Sequence, residues 1–145
     1  MRIEIFKTEH LDMIDPIGGK DDKIWVKETL YRSLNHMESM AFTLFVGDKV
    51  ISICGIWLLW DGVGEAFTVM CSDIKKYGLS LFKGYKRSLP TMIKAYKLKR
   101  LQATIIVGFT EGVNFIERLG FKREGMMKSW TPDGKDVYMY SIVED

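Results

Sequence analysis

The sequence feature that most constrains the fold lies in the last third of the chain, where a helix pattern passes directly into two strand patterns. Residues 111–119 predict a helix that stops at Gly120, the residue type that most often terminates a helix. A side chain at this position is expected to clash. Residues 121–130 and 137–143 predict strands, and Thr-Pro-Asp-Gly at 131–134 predicts a tight turn between them. The segment therefore predicts a helix followed by a two-stranded hairpin.

The residues before this segment predict further elements, giving the overall order β-α-α-β-β-β-α-β-α-β-β. The additional strands are predicted at 2–6, 41–46, 50–57, 65–71 and 101–107. Three additional helices are predicted, and the first is a short helix capped by Thr8. The second runs from Asp21 or Asp22 to about Ser39 and has the apolar stripe Val26, Leu30, Leu34 and Met37. The third covers residues 79–97, with a kink at Pro90 or a restart capped by Ser88. This order predicts an α/β (α+β) architecture, with a mixed, mostly antiparallel sheet of about seven strands and about four flanking helices. We expect one domain over residues 1–145.

Several classes of protein are disfavoured by composition and spacing. The longest apolar run, at 50–60, is shorter than the roughly 20 residues that a membrane span needs, and no signal peptide is visible. Cys54 and Cys71 have no metal-ligand spacing and are expected to be reduced thiols. His10 and His36 lie near no second ligand, so no metal site is expected. We therefore expect a cytoplasmic protein without a membrane span.

The positive charges are concentrated in one segment although the net charge is only +2. Residues 74–110 contain nine Lys or Arg residues and no acid. Such a segment is either a solvated helix face or a site for an anion, namely a phosphorylated cofactor or a nucleic-acid backbone. Nucleic-acid binding is disfavoured because Phe82, Tyr85 and Tyr96 fall at the spacing of a helix core face rather than on an exposed face.

The run FIERLGFKREG, from Phe115 to Gly125, resembles a family signature. It is similar to the ending of the GNAT N-acetyltransferase superfamily, in which a helix closes on Leu-Gly-Phe and a strand begins with a basic residue and Glu-Gly. Residues 99–105 look like the preceding strand, and residues 132–140 resemble the last hairpin. The resemblance implies the GNAT fold and transfer of an acetyl group from acetyl-CoA to a primary amine of a small molecule or protein.

The resemblance also implies a place for the cofactor. The family holds the CoA pyrophosphate at a helix N-terminus with the motif [Arg/Gln]-x-x-Gly-x-[Gly/Ala], in which x is any residue. The matching segment here is Lys75-x-x-Gly78-x-Ser80. Backbone N–H groups and the helix dipole would hold the phosphates. The preceding strand would pair with the pantetheine arm through its backbone. The implied cofactor-binding residues are Val69, Met70, Cys71, Lys75, Lys76, Gly78, Leu79 and Ser80, with Lys83, Lys86 and Arg87 as further sources of positive charge.

The catalytic positions match the family only in part. Glu65, at the start of the strand before the loop, resembles a general base of some family members; its alternative role is a solvated strand end. The family often has a Tyr in the last helix to protonate the leaving thiolate and an Asn at its start, but these positions are Ile116 and Phe109 here, with Gly112 between them. The residues that could replace the acid are Tyr138, Tyr140 and Tyr77.

These departures resemble the GNAT-like proteins of tailed bacteriophages, including the family described as an internal virion protein. The alternative function is therefore a catalytically silent phage protein that acts in virion assembly or binds a host or virion partner. Trp57, Trp60 and Trp130 would form an apolar surface for such a partner, or else pack in the core.

Homodimers are common in the family, but no feature of this chain decides that point. Residues 12–39 correspond to the segment that selects the acceptor.

Overall fold

The structure, a computed structural model, describes residues 1–17, 19 and 40–144. Its strands are β1 (Arg2–Ile5), β2 (Met40–Val46), β3 (Lys49–Trp60), β4 (Val63–Met70), β5 (Arg100–Ile106), β6 (Lys122–Met127) and β7 (Val137–Val143). Its helices are α1 (His10–Met13), α2 (Gly78–Ala95) and α3 (Thr110–Arg118), with a short 3₁₀ helix at Ile74–Lys76. The predicted helix at 21–39, and most of the predicted acceptor segment, lie outside the described residues.

The seven strands form one sheet in the order β1-β2-β3-β4-β5-β7-β6. The pairs β1–β2, β2–β3, β5–β7 and β6–β7 are antiparallel, whereas β4 and β5 are parallel. The predicted mixed, mostly antiparallel sheet is therefore confirmed. Among the described residues, no helix has the length and apolar character that a membrane crossing requires.

The first of two compact units contains Met1–Trp57 and Ala66–Leu81. Its core is formed by apolar side chains of β2, β3 and β4 together with Ile14 of the segment after α1. Trp57 stacks on Phe67 with a centroid separation of 4.4 Å, in agreement with core packing rather than an exposed position. Buried His10 accepts a hydrogen bond from the Lys7 N–H and lies 2.7 Å from the Thr43 hydroxyl, which satisfies both buried polar groups.

The second compact unit contains Leu58–Glu65 and Phe82–Asp145. In it, β5 pairs with β7 along its whole length, and β7 pairs with β6. Helix α3 covers one face of these strands, and its Phe115 contacts Phe82 and Tyr85 edge-on at 6.0 and 5.6 Å. The core residues of this unit include Leu101, Ala103, Ile116, Phe121, Val137 and Tyr140. The prediction of a single domain over residues 1–145 stays a prediction.

Helix α3 ends in a Schellman motif, although the reason for its glycine differs from the prediction. The Gly120 N–H donates to the Glu117 carbonyl at 3.1 Å, and the Phe121 N–H donates to the Ile116 carbonyl at 3.3 Å. The expected side-chain clash is wrong, because a Cβ at position 120 would meet no atom within 4 Å. Glycine is required instead because its φ is +102°, a region that other residues adopt only with strain.

Two helix predictions are corrected by the structure. Helix α2 runs without a break from Gly78 to Ala95, so the restart at Ser88 is wrong even though Pro90 lies inside the helix. Proline removes only one backbone hydrogen bond, and the rest of this 18-residue helix remains intact. The predicted Thr8 cap is also wrong, because the residue in the N-cap position of α1 is Glu9 and it makes no side-chain cap bond.

Three strands have an end that differs by two or more residues from the predicted one. Strand β3 continues to Trp60. Strand β4 already begins at Val63, because Val63 pairs with Arg100 of β5 and thereby extends the ladder. Strand β6 ends at Met127 instead of residue 130. The cause is Ser129, whose positive φ of 52° turns the chain away from an extended conformation.

The helix stop yields a prediction with a matched control. Gly120→Ala is expected to lower the free energy of unfolding by about 1–2 kcal/mol, because alanine is strained at positive φ. Gly125→Ala is expected to leave it unchanged or slightly raised, since Gly125 has no positive φ and an added Cβ there also meets no atom within 4 Å. Urea denaturation of both variants measures the difference. Equal stabilities would contradict the conformational explanation.

Candidate functional site

The end of β4, the following loop and the first turn of α2 belong to the first unit and contain the predicted cofactor residues from Val69 to Ser80. Val69 and Cys71 are buried, whereas Met70 is half-buried. The 3₁₀ helix at Ile74–Lys76 follows, and α2 begins two residues later. The sequence pattern and the structure therefore agree that a strand end, a basic turn and a helix N-terminus follow one another here.

The backbone at the end of β4 is partly occupied by the chain itself. The Met70 carbonyl accepts a hydrogen bond from the Ile17 N–H at 2.9 Å. The Cys71 N–H donates to the Ile51 carbonyl at 3.0 Å, and its carbonyl accepts from the Ile74 N–H at 3.1 Å. A pantetheine contact through the Cys71 backbone would therefore have to replace an existing hydrogen bond.

The start of α2 has the features that a phosphate group requires. The N–H groups of Gly78, Leu79 and Ser80 lie in the first turn, where a helix offers no carbonyl partner, and this turn contains no acidic residue. A Cβ at Gly78 would meet no atom within 4 Å, so there is open space for a ligand to approach the backbone. Lys75 and Lys76 are exposed immediately before the turn. These residues fit a pyrophosphate.

An ion pair that the sequence did not reveal lies beside this turn. The Lys49 ammonium, at the start of β3, donates to the Asp73 carboxylate, and Lys76 Nζ lies 4.0 Å from the same carboxylate. The hydrogen bond from Lys49 lowers the pKa of Asp73 and raises that of Lys49. Lys49 is 24 residues away in the sequence, and the only local signal was that Asp73 immediately precedes the acid-free segment.

The thiol of Cys71 is not suited to nucleophilic chemistry. Its side chain is almost completely buried. Burial and a hydrogen bond with Asp73 raise its pKa to about 11. At neutral pH the side chain is therefore a protonated thiol, and thiolate attack is not available to it.

Part of the basic segment has a structural role in the second unit. Lys86 Nζ donates to the Arg118 carbonyl at 3.2 Å and lies 5.8 Å from the centroid of the Phe82 ring. A cation at the last carbonyls of α3 satisfies groups that the helix leaves open and interacts well with its dipole. Lys86 thus stabilises the end of α3, whereas Lys83 and Arg87 are exposed.

Glu65 lies in the second unit at one end of a hydrogen-bonded row of side chains. The Glu65 Oε1 atom accepts a hydrogen bond from Gln102 Nε2 at 3.1 Å. The side-chain amide oxygen of Gln102, Oε1, accepts a hydrogen bond from Arg100 Nε at 3.0 Å. Because both ends of the Gln102 amide are engaged, the donor end faces Glu65. Arg100 and Gln102 are two residues apart on one strand, so the period-2 alternation already placed them on one face. Their contact with Glu65 depended on the β4–β5 register.

Arg100 continues this row to Glu124, which lies at the bulge of β6. Arg100 Nη1 and Nη2 donate to the two Glu124 oxygens at 2.9 and 2.6 Å, and the Ser141 hydroxyl donates to Oε2 at 2.8 Å. The Arg100 and Ser141 hydrogen bonds lower the pKa of Glu124 from its ordinary 4.5 to about 2. Glu124 is thus a carboxylate over the whole physiological pH range.

Tyr138 lies on the opposite face of the sheet from Glu65. Glu65 pairs with Gln102 and Tyr138 pairs with Ile105, three positions further along the same strand. Paired residues share a face and successive residues alternate, so an odd separation places the two side chains on opposite faces. Tyr138 instead packs under Arg123, whose Cζ is 3.8 Å from the ring centroid. The two side chains therefore do not converge as a base and an acid.

A cavity of about 250 Å³ adjoins Tyr138 on that face. It is lined by Gly108, Thr110, Val113, Arg123 and Tyr138. Both the start of α3 and the edge strand β6 contribute to it. The lining contains one cation and no carboxylate.

The other candidate positions are occupied by packing. Tyr140 is fully buried, accepts from Arg123 at 3.0 and 2.9 Å, and donates to Glu117 at 3.3 Å. Ile116 is buried in the core. The Phe109 ring fills the space beside Gly112, where an added Cβ would come within 2.5 Å of it. The polar side chains that the family often has at these positions are thus replaced by an apolar contact.

Two further features bear on the alternative functions. Within the described ranges, no cluster of three or more His, Cys, Asp or Glu residues could hold a metal ion. Trp60 and Trp130 of the second unit are exposed, at 67% and 55% of their surface. These two side chains, unlike Trp57, remain available to a partner.

The Arg100–Glu124 pair yields a prediction about pH. A folded-state pKa below the ordinary value stabilises the folded state above pH 4.5, and this contribution is lost as pH falls towards about 2. Glu124→Gln is therefore expected to cost about 0.5–1 kcal/mol at pH 7 after allowance for solvent screening, and only a small part of that at pH 2. Urea denaturation across this range, with exposed Glu144→Gln as the control, measures the difference. A cost that is independent of pH would contradict the ionic explanation.

Comparisons with known proteins identify the fold. A spermidine N-acetyltransferase mutant from Vibrio cholerae aligns with 99% of this chain and 95% of its own, with a TM-score of 0.74 at 12% identity. A ribosomal-protein-S5-alanine acetyltransferase from Vibrio fischeri aligns with 99% of this chain and 92% of its own, with a TM-score of 0.71 at 18% identity. An acetyltransferase of the GNAT family from Bacillus anthracis aligns with 99% of this chain and 95% of its own, with a TM-score of 0.71 at 18% identity.

No protein-family model matches the chain, and neither does any curated protein. The three likenesses cover nearly the whole chain, but at 12–18% identity they show the fold alone. They come from bacterial proteins and give no support to the bacteriophage branch. The chain therefore has the GNAT fold that the run from Phe115 to Gly125 predicted.

Proposed function

We propose that this protein is an acetyl-CoA-dependent N-acetyltransferase that transfers an acetyl group to a primary amine. The observation that carries the proposal is the start of α2, where open space at Gly78, an acid-free first turn and two exposed lysines coincide in a chain with the GNAT fold. The resembling structures are named as acetyltransferases, one of them as a spermidine N-acetyltransferase, which supports this reaction class.

The residues that would hold the cofactor follow from this arrangement. The first-turn N–H groups of α2 and the ammonium groups of Lys75 and Lys76 would bind the pyrophosphate. The backbone near Val69 would lie beside the pantetheine arm, as in an added strand. We omit Cys71 because both of its backbone polar groups already have partners. When bound, acetyl-CoA supplies the thioester from which the acetyl group is transferred.

Glu65 would accept the proton that the ammonium of the acceptor must lose. Gln102 fixes Oε1, and no hydrogen bond occupies Oε2 within the described part of the chain, so Oε2 can take the proton directly or through a water molecule. The amine nitrogen then bonds to the acetyl carbon and loses its second proton to solvent, the carbon–sulfur bond breaks, and the sulfur takes a proton from solvent. Tyr138 is not assigned as the acid because it lies on the opposite face.

A second candidate function is a catalytically silent protein that binds a partner. Buried Ile116 at the usual Tyr position favours it, as do exposed Trp60 and Trp130. This candidate predicts no acetyl-CoA binding or no turnover. The two experiments below therefore separate it from the proposed enzyme.

The first experiment tests cofactor binding at Gly78 by isothermal titration calorimetry with acetyl-CoA. Gly78→Asp is expected to lower the affinity by about tenfold, because a carboxylate would face the phosphates. Its isostere Gly78→Asn is expected to lower it by less than about threefold. Both variants should fold normally, since Asp and Asn are well accommodated at a helix start and the site has open space. Equal affinities for the two variants would contradict a phosphate site here.

The second experiment tests Glu65 as the base. Release of the CoA thiol is measured with a panel of amines, including spermidine and a peptide that begins with alanine, after the acceptors named for two of the resembling structures. Glu65→Gln is expected to reduce kcat by about a hundredfold and to leave acetyl-CoA binding unchanged. The exposed control Glu111→Gln should behave like the wild type. A Glu65→Gln variant with the wild-type rate would exclude Glu65 as the base.

A further inference from the structure

Lys49 lies beside the candidate phosphate site although it comes from a different part of the chain. It is the first residue of β3, and its ammonium reaches the loop after β4, where it bonds to Asp73. The same ammonium lies 5.5 Å from the centroid of the Tyr77 ring, the residue just before α2. Its side chain is 44% exposed, so a ligand at the start of α2 could reach it.

Asp73 is the acid at the centre of this group of charges. Its carboxylate bonds to Lys49 and to the Cys71 thiol and lies 4.0 Å from Lys76 Nζ, while its side chain makes no hydrogen bond that caps the 3₁₀ helix. The carboxylate is therefore not needed to cap the start of the 3₁₀ helix. The Asp73 carboxylate interacts with the ammonium groups of Lys49 and Lys76 in the way that an oxygen of a bound phosphate group would.

We propose that Asp73 is an internal counter-anion of the phosphate site, which holds Lys49 and Lys76 in the free protein and competes with a phosphate group of acetyl-CoA for them. This inference rests on the proposed function and adds Lys49 to the residues that bind the cofactor. On binding, the two ammonium groups transfer from the carboxylate to the phosphate.

The physical consequence is a lowered affinity for the cofactor. A carboxylate next to the phosphates repels them, and the bonds that it makes to Lys49 and Lys76 must be given up. A neutral amide at position 73 would keep the size of the side chain and remove both effects. The chain offers a matched control in Asp48, an exposed acid of the hairpin turn next to Lys49, whose replacement changes the net charge equally.

The test compares acetyl-CoA affinity by calorimetry in Asp73→Asn, Asp48→Asn, Lys49→Met and the double variant with Asp73→Asn and Lys49→Met. Asp73→Asn is expected to bind about two- to fivefold more tightly than the wild type, and Asp48→Asn like the wild type. Lys49→Met is expected to bind about fivefold more weakly, with Lys49→Arg close to the wild type. In the double variant the gain from Asp73→Asn should shrink, because one of the two released ammonium groups is missing.

The outcomes separate this inference from the proposed function. Wild-type binding combined with an Asp73→Asn affinity no tighter than that of Asp48→Asn would overturn the inference alone. Absence of binding in every variant would overturn the proposed function and the inference with it. Thermal unfolding of each variant shows whether it is folded, and Asp73→Ser replaces Asp73→Asn if that variant is not.

Discussion

The antiparallel ladder between β5 and β7 is the interaction on which the second compact unit depends. It joins all seven residues of each strand, from Arg100↔Val143 to Ile106↔Val137. Because β5 also pairs with β4, and β7 with β6, this ladder sets the register of four strands. A slip by one residue would move every side chain of a strand to the other face. The polar row on one face and the packed aromatic rings on the other exist only in this register.

This separation of the two faces has a chemical consequence. The face of Glu65 carries a continuous row of hydrogen bonds through Gln102 and Arg100 to Glu124, which orients each polar group. The other face carries Arg123 between two tyrosine rings under α3. One face therefore holds an oriented carboxylate, Glu65, whereas the tyrosines of the other face are engaged in packing. Under the proposed function, solvent takes the role that a tyrosine often has in this fold.

The basic residues of the segment 74–110 have different roles in the folded chain. Lys86 binds the end of α3, whereas Lys75 and Lys76 lie exposed before α2. The pattern also missed two charges that belong beside them. Asp73 lies one residue before the acid-free segment, and Lys49 lies in a hairpin far from it. The sequence did not reveal their contact, because the start of β3 meets the loop after β4 only in the folded chain, where the Cys71 N–H donates to the Ile51 carbonyl.

The order of the elements, the helix stop at Gly120 and the mixed sheet could be read from the sequence, because periodicity, turn chemistry and glycine conformation are properties of neighbouring residues. The ends of strands were less accurate, since Val63 became part of β4 only through its pairing with Arg100. The candidate loop at Gly78 was also visible, as a local pattern. Tertiary structure alone decided which side chains meet: Gln102 with Glu65 across 37 residues, and Lys49 with Asp73 across 24. Strand register determines such contacts, and register is a long-range property that no local pattern contains.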